Sequence, residues 1–218
     1  MIRILIVDDH AILRAGLKHI LAECHDIVVA GEAGNGLDAL AKVRAEAWDA
    51  VVLDMTMPGK SGIELIKQIK SEKPKLPILV LSMHKEDIYA VRTLKAGASG
   101  YLCKDDAEPQ LEQAIRKVAG GGLFINSAVA ENLAAGMLAR ATDAPPHTLL
   151  SDREYQIFQY IVEGKGITEI SRELNLSVKT VSSYKTRVLG KMGMTNTAEL
   201  VRYAMRHDLV VARDDLAE

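Results

Sequence analysis

Three acidic residues, set at two places along the chain, are spaced to act together. Asp8 and Asp9 follow the apolar run Ile2-Arg3-Ile4-Leu5-Ile6-Val7, and Asp54 follows Ala50-Val51-Val52-Leu53. If both runs are parallel strands of one sheet, their C-terminal ends converge on one rim, where open α/β sheets bind ligands. Carboxylates that close resist joint ionisation unless a cation shares the site. Mg2+ suits such a cluster, because it takes oxygen ligands from carboxylates, waters and phosphate. A carboxylate beside it can act as nucleophile toward a phosphoryl group and form an acyl phosphate. Asp9 and Asp54 suit direct ligation, with Asp8 close by or acting through water; the backbone carbonyl of Thr56 could complete the protein ligands. The incoming group is anionic and needs a positive charge and hydrogen-bond donors as well. Leu81-Ser82 brings a hydroxyl after a fourth apolar run, and Tyr101-Leu102-Cys103-Lys104 brings an ammonium after a fifth. Taken singly these are a turn aspartate, a loop hydroxyl, a solvated lysine and a packed tyrosine. Together they form a combination that chance rarely assembles.

The elements that would position them alternate. Short β-branched apolar runs at 2–7, 27–30, 50–53, 77–82 and 99–102 are separated by helix-like stretches. These are Ala11–Ala22, Leu37–Ala45, Gly62–Ile69, Glu86–Leu94 and Glu108–Val118, with apolar residues at i, i+3 and i+4. Five strands alternating with five helices predict right-handed crossovers and a five-stranded parallel, doubly wound α/β sheet. After Gly120-Gly121-Gly122 no strand pattern returns. Ala128–Arg140 reads as one more helix, followed by the Pro-containing stretch from Ala141 to Thr148. The chain thus divides into a domain over 1–120, a linker helix and flexible linker over 121–147, and an all-α domain over 148–218.

That last domain reads as four helices, roughly 151–162, 167–174, 178–191 and 197–206. Ser151 and Glu154 form a capping-box signature, and Ser177 is a natural N-cap. A helix, a tight turn and a second helix is the geometry that places the second helix in a DNA major groove. Between Glu173 and Glu199 there is no acid, whereas Lys179, Lys185, Arg187 and Lys191 all fall there. Thr180, Ser182, Ser183, Tyr184 and Thr186 add hydroxyls for phosphates or bases. Val178, Val181, Val188 and Leu189, with Met192, supply the expected buried stripe. A merely solvated basic face is the plain alternative.

Two resemblances sharpen these readings. Ile4-Leu5-Ile6-Val7-Asp8-Asp9-His10, Val52-Leu53-Asp54-Met55-Thr56-Met57-Pro58-Gly59, Leu81-Ser82-Met83-His84 and Gly97-Ala98-Ser99-Gly100-Tyr101-Leu102-Cys103-Lys104 resemble a two-component receiver domain. That resemblance implies a flavodoxin-like fold and phosphorylation of Asp54 by a sensor histidine kinase. It also implies Mg2+ at Asp9, Asp54 and Thr56, Ser82 and Tyr101 as a switch pair, and Lys104 on the phosphoryl group. Leu150-Ser151-Asp152-Arg153-Glu154, Glu169-Ile170-Ser171, Leu174-Asn175-Leu176-Ser177, Lys179-Thr180-Val181 and Gly190-Lys191-Met192-Gly193 are similar to a LuxR-type helix-turn-helix. The whole chain then resembles a NarL/FixJ-type response regulator. The family pattern implies base contacts at Ser182, Ser183 and Thr186, and phosphate contacts at Lys179, Thr180, Lys185 and Arg187. Many members carry lysine at the place of Ser182 and histidine at that of Tyr184, which leaves the operator sequence open. The last helix resembles the family's dimerisation helix, placing Ala198, Val201 and Met205 at a homodimer contact.

Composition bounds the alternatives. The 218 residues carry 27 basic and 29 acidic side chains, a net charge of −2, so contact with double-stranded DNA has to come from a local patch. The 48% apolar fraction supports a packed core. Cys24 and Cys103 have no pairing spacing, which fits a reducing compartment. No apolar stretch approaches a membrane span, and the expected setting is cytoplasmic. Two rival functions remain open. An aspartyl-phosphate phosphohydrolase usually carries a second acid two residues past its nucleophile; here Thr56 stands there. A phospho-gated protein-interaction adaptor would use the C-terminal helices on a protein.

Overall fold

The computed structural model describes residues 1–55, 57, 62–82, 87–104, 107–138, 145–207 and 209. They fall into two compact units, Met1–Met137 and Leu138–Glu218.

The first unit holds β1 (Ile2–Val7), α1 (Ala11–Leu21), β2 (Ile27–Ala33), α2 (Gly36–Ala45) and β3 (Ala50–Asp54). It continues with α3 (Gly62–Glu72), β4 (Ile78–Ser82), α4 (Asp87–Lys95), β5 (Gly100–Cys103) and α5 (Ala107–Ala119). A further helix, α6, covers Ser127–Leu138. All five strands are parallel, in the order β2-β1-β3-β4-β5. Strands β3, β4 and β5 are buried along their whole length, as expected of a sheet covered on both faces. Alternation in the strands assigns the two faces. Ile4, Ile6, Val52, Leu79, Leu81 and Leu102 pack with Leu17 and Leu21 of α1 and with Leu111, Ala114, Ile115 and Val118 of α5. Leu5, Val7, Val51, Leu53 and Val80, equally buried, point to the opposite face.

Pairing register fixes where the strands end. Val7 sits opposite Leu53, Asp54 opposite Leu81, and Ser82 opposite Cys103. The residues that close β1, β3, β4 and β5 therefore share one edge, and strand order reverses between β1 and β3. That reversal opens a crevice beside Asp8, Asp9 and Asp54.

One strand feature goes beyond the sequence reading, which has no β-structure after the triple glycine. Phe124 forms a parallel bridge to Gly100, with the Tyr101 amide donating to the Phe124 carbonyl at 2.9 Å. The close approach requires glycine: a Cβ on Gly100 would lie 2.9 Å from Leu79 and 3.1 Å from the Phe124 carbonyl oxygen.

The second unit opens with a short 3-10 turn, Pro146–Leu149, followed by α7 (Asp152–Val162), α8 (Ile167–Glu173), α9 (Val178–Met192) and α10 (Thr197–Arg206). Its core contains Tyr155, Phe158, Ile161, Ile170, Leu174, Val181, Val188, Met192 and Leu200, all buried. The α8–α9 turn runs through Asn175 at φ 52, a left-handed conformation that asparagine tolerates better than most residues. Ser177 then caps α9 by accepting from the Thr180 amide at 3.0 Å. Gly193, at φ 66, closes it.

Candidate functional site

At the C-terminal edge of the sheet, Asp8 and Asp54 are each 1% exposed, and Ser82 is fully buried. Lys104, the residue after β5, reaches across the rim: its Nζ lies 2.9 Å from Asp54 Oδ1 and 3.1 Å from Asp8 Oδ2. Asp8 is held further by the His10 amide, which donates to Oδ1 at 2.7 Å. Arg14 of α1 donates to the Asp8 carbonyl at 2.7 Å and to Glu32 of β2 at 3.1 Å. Lys18 also donates to Glu32, and that bond with Arg14's outweighs burial and holds the Glu32 carboxyl below its usual range. The backbone of the acid pair is thus fastened from α1 and β2. Tyr101 is buried beside this edge.

The donor set fits a hard divalent cation. One ligand atom each from Asp8, Asp9, His10 and Asp54 can be chosen so that all four lie within 4.8 Å of one another. Asp9 Oδ1 is shielded from solvent and accepts no hydrogen bond among the described residues. His10 Nδ1 lies 3.1 Å from it without an aligned hydrogen bond, and a shielded carboxylate oxygen with no aligned donor among the described residues costs free energy that a cation would recover. Lys104 offsets one charge of the cluster, which leaves the site still acidic. Thr56, the expected carbonyl ligand, lies outside the described residues, as do the motif residues Pro58, Gly59, Met83 and His84.

In the second unit, α9 buries Val181, Val188 and Met192. At 3.6 residues per turn, the opposite face carries Lys179, Ser183 and Thr186, flanked by Ser182 and Arg187. Lys179, Ser183, Thr186 and Arg187 are exposed; Thr180, Ser182 and Lys185 are half-buried, Lys185 on the Met192 side. Ser177, Lys179, Thr180, Ser183, Tyr184 and Arg187 line a shallow groove. The Ser183 hydroxyl donates to the Lys179 carbonyl and that of Thr186 to the Ser182 carbonyl, so both oxygens can still accept. Arg187 lies 5.6 Å over the Tyr184 ring, a cation–π contact that steadies the guanidinium. A basic, hydroxyl-bearing second helix after a tight turn fits a DNA groove.

Comparison with known proteins agrees with both halves. Residues 4–116 match the response regulator receiver domain, and residues 148–204 match the bacterial regulatory proteins of the luxR family. Response regulator UvrY of Escherichia coli O6:H1 is 40% identical over 209 residues, covering 96% of each chain. The chain is a response regulator. It is likewise 35% identical over 212 residues to response regulator GacA of Pseudomonas aeruginosa, covering 97% of this chain and 99% of that one. Among solved structures, RcsB of Salmonella typhimurium superposes with a TM-score of 0.69 at 28% identity, covering 94% of this chain and 97% of that one. Salmonella RcsB bound to promoter DNA in the presence of the phosphomimetic BeF3- gives a TM-score of 0.67 at 28% identity, over 94% and 99% of the chains. The response regulator is therefore a two-component transcriptional regulator that binds DNA through a helix-turn-helix, a phosphoacceptor and no conventional enzyme.

Three expectations for the regulator's second unit need correction. Val178 is not part of the buried stripe: it lies on the same side as Val181 by i, i+3 spacing, but it is the first residue of α9, and at that helix end it is 48% exposed. Leu189 is only half-buried, because it falls a quarter-turn off the line of Val181, Val188 and Met192. Lys191 is not a free basic residue. Its Nζ lies 2.6 Å from Glu154 Oε2 and ties α9 to α7. Ala198 and Met205 are exposed on α10 and Val201 half-buried between them, a face left open by the buried Leu200 and Ala204.

Two histidines gain places that the sequence does not signal. His147, a linker residue by composition, is 3% exposed, and its Nδ1 lies 2.7 Å from the Tyr203 hydroxyl of α10. A lone histidine after two prolines gives no hint of this. His10 follows the acid pair in the receiver motif, and only the fold turns its ring back onto the two carboxylates. The capping box, by contrast, is present as expected, and the structure adds Lys191 to it. Burial alone would raise the Glu154 carboxyl, but the Lys191 ammonium and the Ser151 amide and hydroxyl outweigh it and hold the group below the usual range. A carboxyl lowered by folding contributes stability above its unfolded pKa, about 4.3, and loses it as pH falls through the lower folded value. The Glu154→Gln variant is expected to melt at lower temperature than wild type at neutral pH. The gap should close as pH falls below about 4.3, near the free glutamate value. Calorimetry of the second unit's transition across pH checks this; a gap constant in pH would contradict it.

Among the described residues no helix is long and apolar enough to cross a membrane.

Proposed function

We propose that Asp54 is the phosphoacceptor of this regulator and that phosphorylation favours a DNA-binding homodimer. The observation that carries this is the Lys104 ammonium, 2.9 Å from Asp54 Oδ1 on a rim that also holds Asp8, Asp9 and Ser82. A sensor histidine kinase would present a phosphohistidine. Asp54 attacks phosphorus, the P–N bond breaks, a P–O bond forms, and the imidazole leaves and takes a proton from solvent. Lys104, already at the attacking oxygen, then pairs with the transferred group, and the Ser82 hydroxyl donates to another of its oxygens. Mg2+, held by Asp8, Asp9, Asp54 and the Thr56 carbonyl, would neutralise the anionic group on this rim. Movement of Ser82 leaves space toward which the buried Tyr101 ring shifts, and α4 responds as one of two arrangements.

The readout lies in the second domain. Ser182, Ser183 and Thr186 would read bases, and Lys179, Thr180, Lys185 and Arg187 would bind phosphates. Two subunits, joined through Ala198, Val201 and Met205 of α10, would address paired half-sites. The domains would run over 1–120 and 148–218, with 121–147 between them, in the cytoplasm. RcsB has been solved as two dimers bound to DNA, which supports this reading. The chain in beryllofluoride and Mg2+ is expected to shift from monomer to dimer by light scattering and to bind promoter DNA more tightly. Unchanged mass together with unchanged DNA affinity would contradict the proposal.

A further inference from the structure

His10 stands at the N-cap of α1, a position where Ser, Thr, Asn or Asp would accept from a free helix amide. The His10 side chain caps nothing, and the first turn of α1 holds no acidic residue. The ring turns back to the acid pair instead. Nδ1 lies 3.3 Å from Asp8 Oδ1 and 3.1 Å from Asp9 Oδ1. One ring nitrogen can serve only one of these oxygens with a proton. The Asp9 oxygen stays without an aligned hydrogen bond among the described residues and is shielded from solvent. A cation among the four donor atoms would take the lone pair of Nδ1 and the charge of that oxygen together. The ring is also reachable, with 65% of the side chain exposed.

We propose that His10 is a further ligand of the cation site, through Nδ1, and turns it toward first-row divalent cations that accept imidazole, the class of Fe2+ and Co2+. This rests on the reading of the acidic cluster as a cation site. Mg2+ prefers oxygen ligands and keeps several waters, so it gains little from the ring. Imidazole strengthens binding of the later first-row metals. The site would then hold either kind of cation, and His10 would set their ratio.

The rival account is a protonated His10 ion-paired with Asp8 and Asp9, and it predicts the opposite sign. Removing a positive charge from the cluster would tighten every divalent cation. Titration calorimetry of the full chain with Co2+ and with Mg2+, at mildly alkaline pH, separates the two. His10→Gln is expected to weaken Co2+ by about tenfold or more, the loss seen even when a ligand's outer partners are disturbed, and to leave Mg2+ nearly unchanged. In the Co2+ form of wild type, one histidine is expected to show paramagnetically shifted ring resonances that vanish in the variant. Parallel changes for both cations, tighter binding of both, or no shifted histidine would overturn the role of His10 while leaving the acidic site intact. Wild type that binds neither cation would overturn the site itself.

Discussion

Asp54→Asn is expected to abolish the acid-labile phosphoryl group that the wild-type chain acquires from a small acyl phosphate donor. Asparagine keeps the size and shape of the side chain, but a neutral amide oxygen is no match for a carboxylate as nucleophile. Among the described residues, nothing else on the rim is placed to substitute. Asp8 is engaged by Lys104 at 3.1 Å and by the His10 amide at 2.7 Å, which fixes both of its oxygens. Asp9 keeps a shielded oxygen without a hydrogen bond from those residues, the property of a cation ligand. The fold should survive. One of three clustered carboxylates is neutralised, which relieves like-charge repulsion, and the Lys104–Asp8 pair remains. Phosphate-affinity electrophoresis and peptide mapping read the result, with circular dichroism as the control for folding. Undiminished labelling, or label that moves to Asp8 or Asp9 in a folded variant, would sink the assignment. The second domain should then lose its response to the donor while keeping its basal DNA affinity, because α9 and its cap are untouched by the change.

The parts of this regulator that follow from periodicity can be read in the chain. Buried parallel strands are apolar runs, so the sheet and the residues that end its strands are visible, and register then brings Asp8, Asp54 and Ser82 to one edge. Lys104 follows from the same logic, one residue past β5. What cannot be read depends on single side chains choosing among near-equal orientations. Val178 looks like core by residue type and by its spacing from Val181, but it is the first residue of α9 and stays exposed at that end of the helix. Lys191 looks like one more basic residue, and only the fold of α7 against α9 brings Glu154 to 2.6 Å from it. His147 is a linker residue by composition and a core residue through its bond with Tyr203. The bridge at Phe124 is too short to have a period at all.

The exposed basic residues of α9 give the second large expectation. Replacing Lys179 and Arg187 with Ala should flatten the salt dependence of DNA binding, lowering the log–log slope by about one for each phosphate left unneutralised. Near 0.1 M salt each such ion pair is worth roughly tenfold in affinity, so the double variant should bind about a hundredfold more weakly. Both side chains are exposed, line the same groove and pair with no carboxylate among the described residues, so their removal should leave the melting of the second unit unchanged. Ser183→Ala and Thr186→Ala should behave differently: hydroxyls that read bases change which sequence is preferred and leave the salt slope alone. Lys191→Ala provides the opposite control. Its ammonium is committed to Glu154, so its loss should cost stability and leave the slope unchanged. Fluorescence anisotropy on one promoter duplex across a salt series separates the three. A double variant with the wild-type slope would remove this face of α9 from the DNA and return the second domain to a protein partner. A slope reduced by Lys191→Ala in a domain of undiminished stability would show that the Glu154 pair opens when DNA arrives.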